Sequence, residues 1–377
     1  MKILILEPYF TGSHTAWAEG YVRHSKHDVQ ILSMSGRYWK WRMHGGAVTL
    51  AGKFLESDLN PDLLLATDML DLTTFLALTR KKTAATPCAV YFHENQLTYP
   101  WSPEDRDVIH NRDRHYGFIN YTSALSSAAV LFNSRYHMDS FLSALKLFLK
   151  NFPDFNEIET VEVIMAKSFV LSLGLDLQKF DTNVPKPEDT VKDDRPPLIL
   201  WNHRWEYDKN PQDFFRALYL LADCGLNFEV AVLGENFSNQ PDEFLNAKKV
   251  LGKRIKHFGF VRDMSIYAGW LWKADIVPVT SNQDFFGASL VEAMYCNCFP
   301  ILPKRLAYPE LIPEDLHQKV FYKDFDGLLN LLETTILNID KIRKQGMRAF
   351  VGRFAWDKMA PIYDAEMQRV AQNRLPL

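Results

Sequence analysis

The segment Ser281–Pro300, SNQDFFGASLVEAMYCNCFP, sets one carboxylate, Asp284, before a glycine-led helix start and a second, Glu292, within the helix. The apolar run before it, IVPVT, reads as a buried strand, and Gly287-Ala288-Ser289 opens the helix that carries LVEAM. Amides at a helix start have no partner inside the helix, so this junction suits phosphate oxygens. At about 1.5 Å of rise per residue, the two acids can bracket different parts of one extended ligand. The plainer alternative makes Asp284 a helix-capping acceptor and Glu292 a solvated face residue.

A second constellation, Trp201 to Pro211 (WNHRWEYDKNP), follows the strand-like run LILWN and supplies two cations, Arg204 and Lys209. Fixed cations stabilise negative charge, and an arginine binds phosphate oxygens through two N–H groups. A solvated turn before a helix at Gln212–Leu221 accounts for the same residues. In the first half, PYFTGSH joins the first strand to its helix, and Gly12 and Ser13 let the backbone approach a phosphate. It is not a G-x-G-x-x-G fingerprint, which disfavours a dinucleotide-binding dehydrogenase. YFHENQL ends another strand with His93, Glu94, Asn95 and Gln96, where the imidazole can donate and the carboxylate can act as a base.

The stretch GRYWKWRMHG packs Arg37, Trp39, Lys40, Trp41 and Arg42 together in an acidic chain. Such rings and cations stack on bases and hold phosphates, or fold inward as core. Arg112 and Arg114 add cations in the same half. Asp105-Arg106-Asp107 and Asp324-Phe325-Asp326 are formally DxD pairs of the kind that hold divalent cations. Neither follows a convincing buried strand and Asp-rich turns are common, so no metal site is expected.

The elements that must position these residues follow from the apolar runs. KILILE (2–7), DVQILSM (28–34), DLLLAT (62–67), CAVYFH (88–93), AVLFN (129–133) and FVLSL (169–173) read as buried parallel strands separated by helical patterns. Residues 181–197, DTNVPKPEDTVKDDRPP, read as an exposed linker. LILWN, FEVAVL, 255–258, IVPVT and 299–302 then form a second set. The expected fold class is α/β, with doubly wound domains at 1–180 and 198–355 facing across a cleft, and a last helix from 356 packing back across the domains. Ligands of such sheets bind at the carboxyl ends of the strands.

Length and composition agree with two soluble domains: 377 residues, 47% hydrophobic and 24% charged. The formal net charge of -3 means that nucleic-acid contact must come from a local basic patch. Cys88, Cys224, Cys296 and Cys298 have neither metal-site nor disulfide-framework spacing, which suits reduced thiols. Glu7 and Pro8 end the first apolar run too early for a signal peptide, and no run reaches the length of a membrane span. A soluble cytoplasmic protein is expected.

The acidic pair resembles the E-x7-E motif of retaining glycosyltransferases with the GT-B fold, Asp284 replacing the first glutamate and Glu292 standing as the second. PYFTGSHTAWAEG, YFHENQLTYPW, YGFINYTSALSSAAVLFNS, WNHRWEYDKNP and DFFGASLVEAMYCNCFP together are similar to the tRNA-queuosine mannosyltransferase family over nearly the full chain. The resemblance implies transfer of mannose from GDP-mannose to the cyclopentene ring of queuosine at the tRNA wobble position, without a cofactor or metal. It implies Glu292 on the ribose, Asp284 on the sugar with one methylene less reach, and Arg204, Lys209 and the Gly287, Ala288 and Ser289 helix start on the diphosphate. Gly12 and Ser13 complete the donor side, while His93, Glu94, Asn95, Gln96, Arg112, Arg114 and the 37–42 cluster attend the acceptor. The implied partners are a nucleotide-sugar and a queuosine-bearing tRNA, with no membrane. Competing readings are another hexose or acceptor, a sugar-nucleotide epimerase or phosphorylase, and a catalytically inactive RNA-binding relative.

Overall fold

Strands here are short runs of aliphatic and aromatic residues buried on both faces, the pattern of parallel sheets covered by helices on each side. The computed structural model describes residues 1–102, 105, 107, 115–183, 195–235 and 242–372. The chain divides into two units, Met1–Asp176 with Phe354–Leu377, and Leu177–Arg353.

In the first unit the order is β1 (Lys2–Phe10), α1 (Gly12–His24), β2 (Asp28–Ser35), α2 (Trp39–Glu56), β3 (Leu63–Thr67), α3 (Leu72–Thr83) and β4 (Cys88–Phe92). It continues with α4 (His115–Ser126), β5 (Ala129–Phe132), α5 (Arg135–Leu149), α6 (Thr160–Ala166) and β6 (Ser168–Val170). All pairings are parallel, in the order β2-β1-β3-β4-β5-β6. The order reverses direction between β1 and β3, and the crevice beyond the carboxyl ends of those two strands is where this topology places a ligand. Every residue of β3, β4 and β5 is buried. One face of α2 (Ala47, Leu50, Ala51, Phe54) closes over Leu4, Leu6, Leu64 and Ala66.

One local reading changes. Glu7 and Pro8 do not end the first strand; β1 runs on to Phe10, with the β1–β2 register shifting between Glu7 and Phe10. Proline donates no ladder hydrogen bond, so it sits at that irregularity. From Trp39 onward GRYWKWRMHG forms the start of α2, with Tyr38 as a left-handed N-cap.

The C-terminal helix, Trp356–Gln372, belongs to the first unit. Trp356 fits only because two neighbours lack side chains: a Cβ on Gly20 would come within 2.0 Å of its indole, and one on Gly174 within 2.4 Å. Asp364 accepts from Tyr21, Ser25 and the Lys26 amide, and Tyr363 accepts from the Trp17 indole at 3.0 Å. The expected first-domain limit of 180 and second-domain limit of 355 therefore move to Asp176 and Arg353.

The second unit runs β7 (Leu198–Trp201), α7 (Pro211–Asp223), β8 (Glu229–Val232), α8 (Asp242–Leu251), β9 (Ile255–Phe258), α9 (Met264–Lys273) and β10 (Ile276–Pro278). It closes with α10 (Ala288–Tyr295), β11 (Phe299–Pro303), β12 (Phe321–Tyr322) and α11 (Phe325–Leu337). The sheet order is β12-β11-β10-β7-β8-β9, again parallel, with its reversal between β7 and β10. Of the expected linker, 184–194 lie outside the described residues, and both described ends attach to this unit. Residues 178–183 form a 3-10 turn whose Phe180 carbonyl accepts from Trp272, and Arg195 pairs with the buried Asp275.

Candidate active site

In the second unit the two loops at the strand-order reversal carry the expected motifs. The loop after β7 holds Asn202, His203 and Arg204, and the loop after β10 holds Gln283, Asp284 and Gly287. Cross-links join them: Thr280 Oγ1 donates to the Lys209 and Asn210 carbonyls, and the Asn282 amide donates to the Asp208 carbonyl at 2.7 Å. Gly287 has φ +93°, a left-handed conformation that only glycine takes without strain, and no side chain caps the α10 start.

Lys209 Nζ lies 2.8 Å from the Gln283 carbonyl, 3.1 Å from Asp284 Oδ1 and 3.1 Å from Asp208 Oδ2. Burial works against its charge, but Asp284 and Asp208 outweigh that and raise its pKa. Asp284 shows the converse: burial opposes ionisation, yet Lys209 and His203 hold its pKa below the usual carboxylate value. Its other oxygen accepts from Tyr308 OH. Arg204 is half-exposed and pairs with Glu206 at 3.2 Å. Glu292 is held from both sides, by Lys179 Nζ at 2.9 Å and Tyr267 OH at 3.0 Å. Neither the capping nor the solvated-face alternative survives for the two acids, since both carboxylates are tied to other parts of the fold.

Ser289 ties the helix start to the neighbouring loop. Its hydroxyl shares a 2.9 Å hydrogen bond with His203 Nδ1, and its carbonyl accepts from Asn202 Nδ2 at 2.8 Å, so it fastens α10 to the β7 loop. Burial pushes the His203 pKa down to about 4, with Asp284 opposing, so the ring is neutral near pH 7. His203 Nε2 and Gln283 Nε2 are buried polar atoms without a protein partner. Such atoms are costly unless something else satisfies them.

The first unit gathers a second polar cluster at its own strand-order reversal. Glu7, fully buried in β1, binds His14 Nδ1 at 2.9 Å. The His14 ring lies 4.3 Å from that of His93, which also packs edge-on against Trp17 at 4.7 Å. Asp68 Oδ1 accepts from the His93 amide at 2.8 Å, while Asp68 Oδ2 and His93 Nε2 are buried without a protein partner. Burial alone would lower the His14 pKa, but Glu7, with Asp68 and Glu94 adding, raises it to about 9. Burial and the neighbouring His14 keep His93 well below its ordinary value, so a charged and a neutral imidazole lie side by side. Glu7, His14 and His93 bring ligand-type atoms within 4.8 Å of one another, the donor set closest to a metal site among the described residues.

The remaining expected residues separate. Gly12 (φ +52°) and Ser13 are exposed at the start of α1. Asn95 is buried, its Oδ1 accepting from Leu97 N, Thr98 N and Thr98 Oγ1. Gln96 donates to Glu94 at 3.0 Å. Trp39 packs with Trp101 and Tyr116, and Lys40 is ion-paired with Asp105 and Asp107. The first DxD is thus the counter-charge of a lysine. Asp324 of the second caps α11 through Gly327 N. Arg112 and Arg114 lie outside the described residues. Sequence reasoning passed over Glu7, His14, Asp68, Lys179, His203, Tyr267 and Tyr308. Some stood inside quoted motifs, but nothing in their spacing marked their partners.

With this geometry in place, comparison with known proteins is decisive. Residues 2–175 match the tRNA-queuosine alpha-mannosyltransferase N-terminal family, and residues 185–329 match Glycosyl transferases group 1. A Drosophila melanogaster protein named tRNA-queuosine alpha-mannosyltransferase is 34% identical over 321 residues, 83% of this chain and 82% of that protein. The chain belongs to the tRNA-queuosine alpha-mannosyltransferase family. It is a glycosyltransferase. Among solved structures, Anabaena HepE in complex with UDP-glucose superposes with a TM-score of 0.68 at 16% identity, covering 98% of this chain and 99% of that one. The sucrose-phosphate synthase of Thermosynechococcus elongatus gives 0.69 at 14% identity, covering 98% of each. These likenesses establish the GT-B fold of this mannosyltransferase-family chain. No helix among its described residues is long and apolar enough to cross a membrane.

Proposed function

We propose that this family member moves mannose from GDP-mannose to queuosine in the tRNA anticodon, with retention of anomeric configuration, in the cytoplasm. The observation that carries the donor half is the convergence of Lys209, Asp284 and the uncapped α10 start at the β7/β10 reversal. Arg204 and the Gly287 and Ala288 amides receive the diphosphate, Lys209 exchanges a carboxylate contact for a phosphate oxygen, and Glu292 takes the ribose hydroxyls. Asp284, with both oxygens already engaged, orients the sugar rather than attacking it. The acceptor oxygen bonds to C1 as the C1–O bond to the diphosphate breaks, and the leaving phosphate takes the acceptor proton on the same face.

In the first unit, the cluster of Glu7, His14, Asp68 and His93 binds acceptor or sugar hydroxyls, since His93 Nε2 and Asp68 Oδ2 lack protein partners. The reaction needs no metal, because Arg204 and Lys209 supply the positive charge. Activity is therefore expected to survive EDTA; loss with rescue by Mn²⁺ would reverse this point.

The test is mass spectrometry of nucleosides after incubating the protein with queuosine-containing tRNA and a panel of nucleotide-sugars. One hexose added to queuosine with GDP-mannose alone is the expected result. Addition from a different donor, or conversion of the donor without tRNA, overturns the assignment.

A further inference from the structure

The ten residues of GRYWKWRMHG meet opposite fates. Trp39 and Lys40 are absorbed into packing and ion pairs, whereas Tyr38 and Trp41 remain 77% and 63% exposed. Helical spacing explains the split. Met43, Gly46, Ala47, Leu50, Ala51 and Phe54 form the buried face of α2, which leaves Trp41 and Val48 exposed on the opposite side and Arg42 half-buried at its flank, with exposed Tyr38 just before the helix as its N-cap.

Trp41 is seated, not loose. A Cβ on Gly45, one helical turn on, would come within 2.8 Å of its six-membered ring, so the indole lies against bare helix backbone and still faces solvent. Arg42 is likewise fixed, donating to the Ser35 carbonyl at 3.0 Å and to Ser35 Oγ at 3.3 Å, with guanidinium N–H groups left over. Arg37 is exposed beside them. Among the described residues, Tyr38 and Trp41 contact no other ring, and Arg37 and Arg42 pair with no carboxylate. Asp105 and Asp107 both pair with Lys40.

We propose that this stripe of α2 is a docking surface for single-stranded, looped RNA, in which Tyr38 and Trp41 stack on unpaired bases while Arg37 and Arg42 take the adjoining phosphates. The inference rests on the tRNA-acceptor reading above. Two exposed rings flanked by cations fit unstacked bases on a phosphate chain, the form in which looped RNA is recognised. The arginines among the exposed rings argue against a broad apolar protein contact.

The full-length protein and two double variants, Tyr38→Ala/Trp41→Ala and Arg37→Gln/Arg42→Gln, test it by tRNA binding measured across a salt series. Arg37, Tyr38 and Trp41 are exposed and Arg42 is half-buried, and the Tyr38→Phe/Trp41→Phe pair controls for folding. Removing the rings is expected to weaken tRNA binding by about ten-fold or more with the salt slope unchanged. Removing the arginines is expected to flatten the slope by roughly one to two units in log–log form. The Phe pair should bind close to wild type, and the KM for the nucleotide-sugar should not move in any variant. If both double variants bind tRNA with wild-type affinity and slope while the wild type transfers sugar to tRNA, the surface assignment is wrong and the acceptor reading stands. If the wild type neither binds nor modifies tRNA, both fail together. Binding to vesicles of phosphatidylserine that the variants lose, with tRNA binding unaltered, would assign the stripe to a membrane surface instead.

Discussion

Arg204 and Lys209 are both cations at the proposed donor site, but they differ as experimental subjects because one is exposed and the other buried. Arg204→Ala is expected to lower kcat/KM by about 10²–10³-fold while shifting stability by no more than about 0.5 kcal/mol. Initial rates beside a urea midpoint measure the two effects separately. Lys209→Met leaves Asp208 and Asp284 without their counter-charge, at a cost of about 3–5 kcal/mol, so its activity loss comes mixed with unfolding. Lys179 makes a finer probe. It holds one oxygen of Glu292, so Lys179→Met is expected to raise the donor KM by roughly five- to ten-fold, the scale of a charge-assisted hydrogen bond in partial contact with solvent, with kcat less affected. A matching loss with Tyr267→Phe, and no further loss in the double variant with Glu292→Gln, would place all three on the ribose; a kcat effect alone would not.

At the level of elements, the β7 loop depends on a neighbour with no side chain. Gly234, just past β8, has φ +112°, and a Cβ there would come within 1.9 Å of the His203 carbonyl oxygen. Gly234→Ala is thus expected to cost at least about 2 kcal/mol and to disturb His203 and Arg204 together. A lower thermal midpoint with a raised donor KM is the signature to look for. Most strands were legible because buried parallel strands are continuous apolar runs, which is why β1 to β5 were placed within a few residues. The two-residue β12 carries too little pattern to be read, and Glu7 looked like a strand terminator because its partner, His14, is found only once α1 folds back beside β1.

For the molecule as a whole, buried histidines shape the pH dependence in opposite directions, His14 on the alkaline side and His203, with His93 and His137, on the acid side. His14, at about 9 against an ordinary 6.5, stabilises the fold fully below about pH 6.5 and loses that contribution as pH rises through 9. His203, held at about 4, stabilises above pH 6.5 and loses its contribution as pH falls toward 4. Urea midpoints from pH 5 to 9.5 should therefore fall on both sides, and Glu7→Gln should flatten the alkaline limb, whose height is on the order of 2–4 kcal/mol. Deleting the chain from Trp356 onward should abolish cooperative unfolding of the first unit, because Trp17, Tyr21 and Tyr91 lose the Trp356 and Tyr363 side chains packed among them. A sharp transition in the truncated chain would show that the helix is dispensable.

Periodicity was enough for the α/β class and the two repeated sheets, and the motifs that carry Asp284, Glu292, Arg204 and Lys209 stood out in the sequence, because those signals are local in the chain. Pairing between distant residues was not. Lys40 reads as a phosphate ligand in sequence and becomes the partner of Asp105 and Asp107, while Trp39 and Trp41, two positions apart, end on opposite sides of one helix. Burial and counter-charge depend on which surfaces fold together, and that information lies in contacts between elements rather than in any one segment.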